Sequence, residues 1–238
     1  GGSIQTWKFQ EEAFKDHFNL LLIDLRDHGN SKDMEPAYDA YRFQVIVDDL
    51  LQVLEAAAVS RAHFMTLSFG SVILQALSMQ RPDLIKTAVM AGGVFKGNLS
   101  IRLFVHSAKF LNNFLKYEQM YTIFSYLLMP RKRHQLARRI YRMQARKINQ
   151  VEYLKWVELY GEFFGLLRTF YHQRMPFPCY IVMGEDDFVF RKAARVFYQR
   201  QDDAELLVVP QAGHICNIDN RGVFNEQVLQ YLLRKAED

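Results

Sequence analysis

Three polar side chains each follow a stretch that reads as a strand, and together they could pass a proton. Ser68 lies in Thr66-Leu-Ser-Phe-Gly-Ser71, where a strand turns sharply into a helix. A serine on such a tight, strained bend exposes its hydroxyl and can act as a nucleophile. The bend needs small neighbours two residues before and two after, so that strand and helix can approach. Gly70 meets that need, whereas Thr66 is larger than the site ordinarily takes. The Phe69 N–H would face a developing oxyanion at the start of the helix, where the helix dipole also helps. His214 follows the apolar stretch from Glu205 to Val209, in Gln211-Ala-Gly-His-Ile-Cys216. A ring in that loop can reach the carboxyl ends of the strands, where α/β proteins place ligands. Asp187 follows Cys179 to Met183, in Gly184-Glu-Asp-Asp-Phe188. A carboxylate there can orient an imidazole and stabilise its charged form. Glu185 and Asp186 are rivals for that role, and an acidic turn can also be merely solvated. No acid follows the stretch from Ile85 to Ala91, which ends Gly92-Gly-Val-Phe95. The chain order is Ser, then Asp, then His. The spacing of 27 residues between the last two leaves room for one helix and one strand.

The elements that must position these residues can be read from periodicity. Leu20 to Leu25 is a short continuous apolar run, as expected of a strand buried on both faces. Phe43, Val47, Leu50, Leu51, Leu54 and Ala58 recur at helical spacing between Tyr41 and Val59. Ala62 to Leu67 reads as a strand, Ser71 to Gln80 as a helix stopped by Pro82, and Ile85 to Ala91 as a strand. After a long interval come a strand from Cys179, a helix from Phe190 to Gln199, a strand from Glu205, and a helix from Val223 to Lys235. Strands alternating with helices predict an α/β fold with a mostly parallel sheet flanked by helices. The interval is rich in Phe, Tyr, Leu, Met and Arg, with helical periodicity and little Gly or Pro. It reads as a helical cap, residues 95–172, inserted into a core made of residues 1–94 and 173–238.

These motifs together resemble the α/β-hydrolase-fold family, in particular its esterase-like members with a helical cap. Gly1 to Trp7 resembles the segment after that family's His-Gly turn, and Asp24-Leu-Arg-Asp-His-Gly-Asn-Ser31 resembles its Asp-x-Arg-Gly-x-Gly-x-Ser, with Asp27 in place of a glycine. Thr66 to Gly70 resembles the nucleophile elbow, Gly184 to Asp187 the acid turn, and Gly213-His214 the histidine turn. The resemblance implies Ser68 as nucleophile, His214 as general base and Asp187 as its orienting acid. It implies the Phe69 N–H as one oxyanion donor and a second at or before Gly1, so Gly1 and Gly2 are the candidates. It also implies a central strand and two edge strands ahead of Gly1, so the chain reads as lacking those first strands. Phe95, Phe104, Trp156, Phe164 and Phe188 are the candidate substrate-pocket residues, each of which could equally serve packing.

Composition narrows the function further. Among 238 residues, 50% are hydrophobic and 24% charged, which suits a globular chain and not a disordered one. No apolar run approaches the ~20 residues of a membrane span, and no signal peptide is visible. Two cysteines, Cys179 and Cys216, are too few for a disulfide scaffold and form no metal motif. No cofactor or metal is expected, and the expected location is cytoplasmic. The net charge of +4 is local, because eight basic residues and no acid fall between Arg131 and Lys147. That excludes a nucleic-acid-like charge balance over the whole chain. Leu136, Ile140 and Met143 form one apolar stripe within this stretch. It is either a solvated helix or a docking surface for an acidic carrier or an anionic surface. The expected activity is hydrolysis of a carboxylic ester or thioester through an acyl-enzyme. The alternatives are a non-catalytic binding protein on the same scaffold, and a carbon–carbon bond hydrolase or peptidase.

Overall fold

Alternation along two central strands divides the interior into two layers. β1 (Ala62–Leu67), β2 (Ile85–Ala91), β3 (Cys179–Gly184) and β4 (Ala204–Val209) form one parallel sheet in the order β1-β2-β3-β4 in a computed structural model, which describes residues 2–97, 102, 107 and 114–237. Ala88 and Met90 of β2, with Cys179, Ile181 and Met183 of β3, point into one core. Val89, Ala91, Tyr180 and Val182 point into the other. This is the period of two expected of strands covered on both faces.

The helices supply the covers. α1 (Lys8–Phe14) precedes α2 (Phe43–Ala56), and α3 (Gly70–Gln80) follows β1. α4 (Tyr117–Leu128), α5 (Gln135–Ala145), α6 (Gln150–Glu158) and α7 (Tyr160–Phe170) lie between β2 and β3. α8 (Arg191–Tyr198) joins β3 to β4, and α9 (Cys216–Asp219) and α10 (Arg221–Glu237) close the chain. α2, α3 and α8 fill the first core through Val47, Leu54, Val72, Leu77, Ala194 and Phe197. α1 and α10 fill the second through Phe14, Phe224, Val228 and Tyr231.

The register aligns the strand ends. Leu67 pairs with Ala91, Ala91 with Val182, and Gly184 with Val209. The turns after β1, β3 and β4, which carry Ser68, Asp187 and His214, therefore emerge on one edge of the sheet. Each strand and helix expected there appears within three residues of its expected bounds, save for residues 20–25. That run is extended but joins no strand ladder, and Leu20 and Leu21 are exposed. An apolar run becomes a buried strand only with hydrogen-bonding neighbours, and among the described residues none lies beside it. It is anchored instead by Asp24, whose carboxylate accepts the N–H groups of Ile4 (2.8 Å) and Asn30 (3.0 Å).

The stripe Leu136–Ile140–Met143 stays at the surface, as either reading of it requires. Leu136 and Met143 are exposed, and α5 buries Ala137, Arg138, Gln144 and Ala145. Arg138 can go inward because its guanidinium donates to the Met129 and Arg131 carbonyls and covers the Tyr126 ring. Among the described residues, no helix is long and apolar enough to cross a membrane.

Phe197 is fully buried and stacks on Phe95 with ring centroids 4.4 Å apart. Phe197→Ala is expected to destabilise the protein by about 3–5 kcal/mol, read from the midpoint of denaturant unfolding.

Candidate active site

The turn after β1 places Ser68 in the left-handed region, at φ 53°. A non-glycine residue adopts that conformation only when its surroundings hold it there. Two contacts do so. The Ser68 N–H donates to the Ala91 carbonyl at 2.8 Å, and its own carbonyl accepts from the Ser71 hydroxyl at 2.7 Å. Thr66 is accommodated opposite Gly70, where an added Cβ would stand 3.4 Å from Thr66 Cβ. That is ordinary van der Waals contact, so the larger Thr66 is accommodated without strain at this point.

Ser68 Oγ lies 2.7 Å from His214 Nε2, and His214 Nδ1 lies 2.7 Å from Asp187 Oδ2. Asp187 and His214 are buried, while Ser68 is half-buried. The second Asp187 oxygen accepts the Phe190 N–H at 3.0 Å, and the Phe190 ring lies beside the imidazole at 4.8 Å. Acid and histidine turns meet at Gly184, where a Cβ would come within 2.0 Å of the Gly213 carbonyl. The rival acids face elsewhere. Glu185 accepts the Gln211 N–H at 2.8 Å, and Asp186 is bound by Arg133.

Asp186 belongs to a polar cluster that periodicity gives no sign of, since its partners lie far away in the chain. Arg133 Nε donates to Asp186 at 3.0 Å, and Arg131 stands 3.7 Å away. The buried His134 ring lies between two carboxylates, with Nε2 at 3.2 Å from Asp186 and 3.9 Å from Asp219. Asp219 accepts the Gly213 N–H at 2.8 Å, and the His214 N–H donates to the Leu128 carbonyl at 3.4 Å. The segment between α4 and α5 therefore clasps both turns that carry Asp187 and His214. Burial lowers the His134 imidazole, although Asp186 opposes it. Burial would raise the Asp186 carboxyl, but Arg133, His134 and Arg131 together hold the group low. Burial pushes the Asp219 carboxyl up to about 6, against the Gly213 N–H and Arg138.

The other candidates divide. Phe69 is the N-cap of α3, so its N–H is among those that a helix start leaves without an intrahelical acceptor. Its ring is walled by Phe43 (5.6 Å), Phe163 (6.0 Å, stacked) and Trp156 (6.3 Å). Trp156 is thus brought to the serine turn. Phe164 is half-buried against Phe163. Phe95 is corrected from a pocket residue to a core residue, because it is 1% exposed and stacked on Phe197. Phe188 is exposed on an outer groove of about 680 Å³, beside Arg191, Lys192 and Arg195. Gly2 is exposed, and a Cβ built on it would stand 3.6 Å from Thr6 Oγ1. Gly1 and Phe104 lie outside the described residues. Asp27, standing where the resemblance has a glycine, takes φ 61° and accepts the Tyr41 hydroxyl at 2.8 Å. Among the described residues, no group of side chains is arranged to hold a metal ion.

A parallel sheet with serine, aspartate and histidine joined on the turns at one edge defines an enzyme of the α/β-hydrolase type. The alpha/beta hydrolase family model matches residues 1–227, and the chain belongs to that family. RutD of Agrobacterium fabrum, named provisionally as a carbamate hydrolase, is 23% identical over 241 residues, covering 98% of this chain and 90% of its own. Rhodomycin D methylesterase DauP of Streptomyces is 33% identical over 99 residues, covering 39% of this chain and 33% of its own. An enol-lactonase of Burkholderia xenovorans superposes with a TM-score of 0.77 at 20% identity, covering 97% of this chain and 87% of that one.

A pH dependence follows from Asp219. Its folded-state pKa lies above the unfolded value of 3.8, so its contribution is fully present below that value and is lost as pH rises through about 6. Asp219→Asn keeps an acceptor for Gly213 and removes the cost of a buried charge. The variant should gain on the order of 2 kcal/mol over the parent near neutral pH, and the gap should close near about pH 4. Thermal melts across that range check it.

Proposed function

We propose that the protein is a serine hydrolase that cleaves a carboxylic ester through an acyl-enzyme. The observation that carries this reading is the unbroken chain from Ser68 Oγ to His214 Nε2 and from His214 Nδ1 to Asp187, each step 2.7 Å long. His214 takes the proton as Ser68 Oγ attacks the ester carbonyl, and Asp187 stabilises the resulting imidazolium. The Phe69 N–H, aimed from a helix start, donates to the oxyanion. His214 returns its proton to the leaving alcohol, and a water activated by the same ring releases the acid. A thioester would follow the same steps with a thiol leaving. Among the relatives, the methylesterase and the enol-lactonase are named for ester chemistry.

Residues 95–172 act in this reading as the cap over a core of residues 1–94 and 173–238. Trp156, Phe163 and Phe164 are then the cap's aromatic wall against Phe69. The buried free thiols of Cys179 and Cys216 fit a reducing compartment such as the cytoplasm. Arg139, Arg146 and Lys147 stay exposed beside Leu136 and Met143, which suits docking of an acidic carrier or an anionic surface.

A fluorophosphonate probe should label the protein, and Ser68→Ala should abolish labelling and ester turnover together. Labelling that persists in the variant refutes the nucleophile assignment. For the exposed basic face, turnover of a carrier-linked acyl group should fall as salt is added, and a flat response would leave that face merely solvated.

A further inference from the structure

Helix α8 turns one face to the core and another to the outer groove of about 680 Å³. Ala193, Ala194 and Phe197 are buried, whereas Arg191, Arg195 and Tyr198 recur at i, i+4 and i+7 on the groove side, with Lys192 beside them. Leu206 and Val208 of β4 line the same groove, as does Phe188 of the acid turn. Leu206 packs with Ala194 and Phe197 in the first core, which puts this row of β4 on the α8 side of the sheet.

Two features leave this groove unfinished. The first is the edge of the sheet. β4 is the last strand of the described sheet and pairs only with β3. An edge strand offers unpaired N–H and C=O groups, which proteins ordinarily guard with charge or proline. Between Glu205 and Pro210 this edge carries neither. Val208 is 42% exposed and Phe188 61%. The second is charge. Arg191, Lys192 and Arg195 form no ion pair with a described residue, and the Arg191 guanidinium donates only to the Glu185 carbonyl. Acids of the adjoining segments are already engaged. Glu205 pairs with Arg234, Asp203 with Lys235 and Asp202 with Arg174, while Glu185 accepts the Gln211 N–H. An unguarded edge thus lies beside three uncompensated cations.

We propose that β4 takes an extended acidic segment of a partner protein as an added strand, with the acidic side chains set on α8. This surface shares no residue with the basic stretch 131–147, and it does not rest on the serine-hydrolase reading. The spacing fits. α8 joins β3 to the parallel β4, so its axis runs back along the strands. Arg191 and Arg195 stand about 6 Å apart along that axis, and alternate residues of a strand are about 6.6 Å apart. Acids at every second position therefore match the cations in succession, while backbone groups complete the edge. Two copies of this chain would pair poorly here. Two-fold antiparallel pairing of β4 edges keeps both α8 helices on one face and sets cations against cations.

The probe is the end-blocked peptide Thr-Glu-Val-Glu-Val-Glu-Thr, titrated into the full chain by calorimetry at low salt. It should bind, and the peptide with Lys for every Glu should not. Lys192→Glu and Arg195→Glu alter exposed side chains and keep the fold, as thermal melts check. Each should weaken the acidic peptide about fivefold. Strand addition also uses the N–H groups of alternate residues only. Of two N-methylated peptides, one blocked at its Glu amides and one at its Val amides, one should bind like the parent and the other about tenfold more weakly. No binding of the acidic peptide, equal binding of the Lys peptide, unchanged affinity in both variants, or equal behaviour of the two methylated peptides overturns the proposal. So does a dimer in sedimentation that Val208→Lys dissolves, which gives the edge to a second copy.

Discussion

The geometry of the site depends on holding one serine in a backbone conformation it would not choose. Ser68 sits at φ 53° because a parallel strand must turn at once into a helix that packs back on the sheet. The strain is sustained by the β1–β2 ladder, whose last bond runs from the Ser68 N–H to the Ala91 carbonyl. It is sustained as well by the Ser68 carbonyl, which accepts the Ser71 hydroxyl. The same turn puts a hydroxyl at the strand ends and a helix N-terminus behind it, so strain, the proposed nucleophile and the proposed oxyanion donor are one feature of the backbone.

The other two members of the set are positioned by a second constraint. Gly184 and Gly213 pass so closely that neither turn can move without the other. Arg133 and His134 then bind the far sides of those turns through Asp186 and Asp219. These cluster residues touch no reacting atom in the mechanism above, yet they fix the loops that carry Asp187 and His214. Buried Asp186, Asp219 and His134 meet the half-exposed guanidinium groups of Arg131 and Arg133 here, an arrangement that admits few alternatives. It couples the helical segment between β2 and β3 to the turns that carry Asp187 and His214.

The aromatic residues divide between packing and presentation in a way their composition does not show. Phe95 and Phe197 pack beneath the sheet, while Trp156 and Phe163 wall the ring of Phe69. Arg138 points inward and Leu136 outward on the same helix. The guanidinium can be buried because carbonyls at Met129 and Arg131 and the ring of Tyr126 are there to receive it.

Sequence alone determined the strands β1 to β4, the helices between them and the three turns that hold Ser68, Asp187 and His214. Those features are local: a period of two or 3.6, a glycine where two backbones meet, a polar residue just beyond a strand. From spacing alone the sequence left Glu185 and Asp186 as rivals of Asp187, and only the family resemblance singled out Asp187, because their separation depends on distant partners: Arg133 for Asp186 and the Gln211 N–H for Glu185. It misread residues 20–25, because an apolar run looks the same whether or not a neighbouring strand pairs with it. It gave no sign of the His134 cluster, because its members lie on separate elements. The tertiary structure decided these by bringing charges and rings together across the chain, where burial turns proximity into energy.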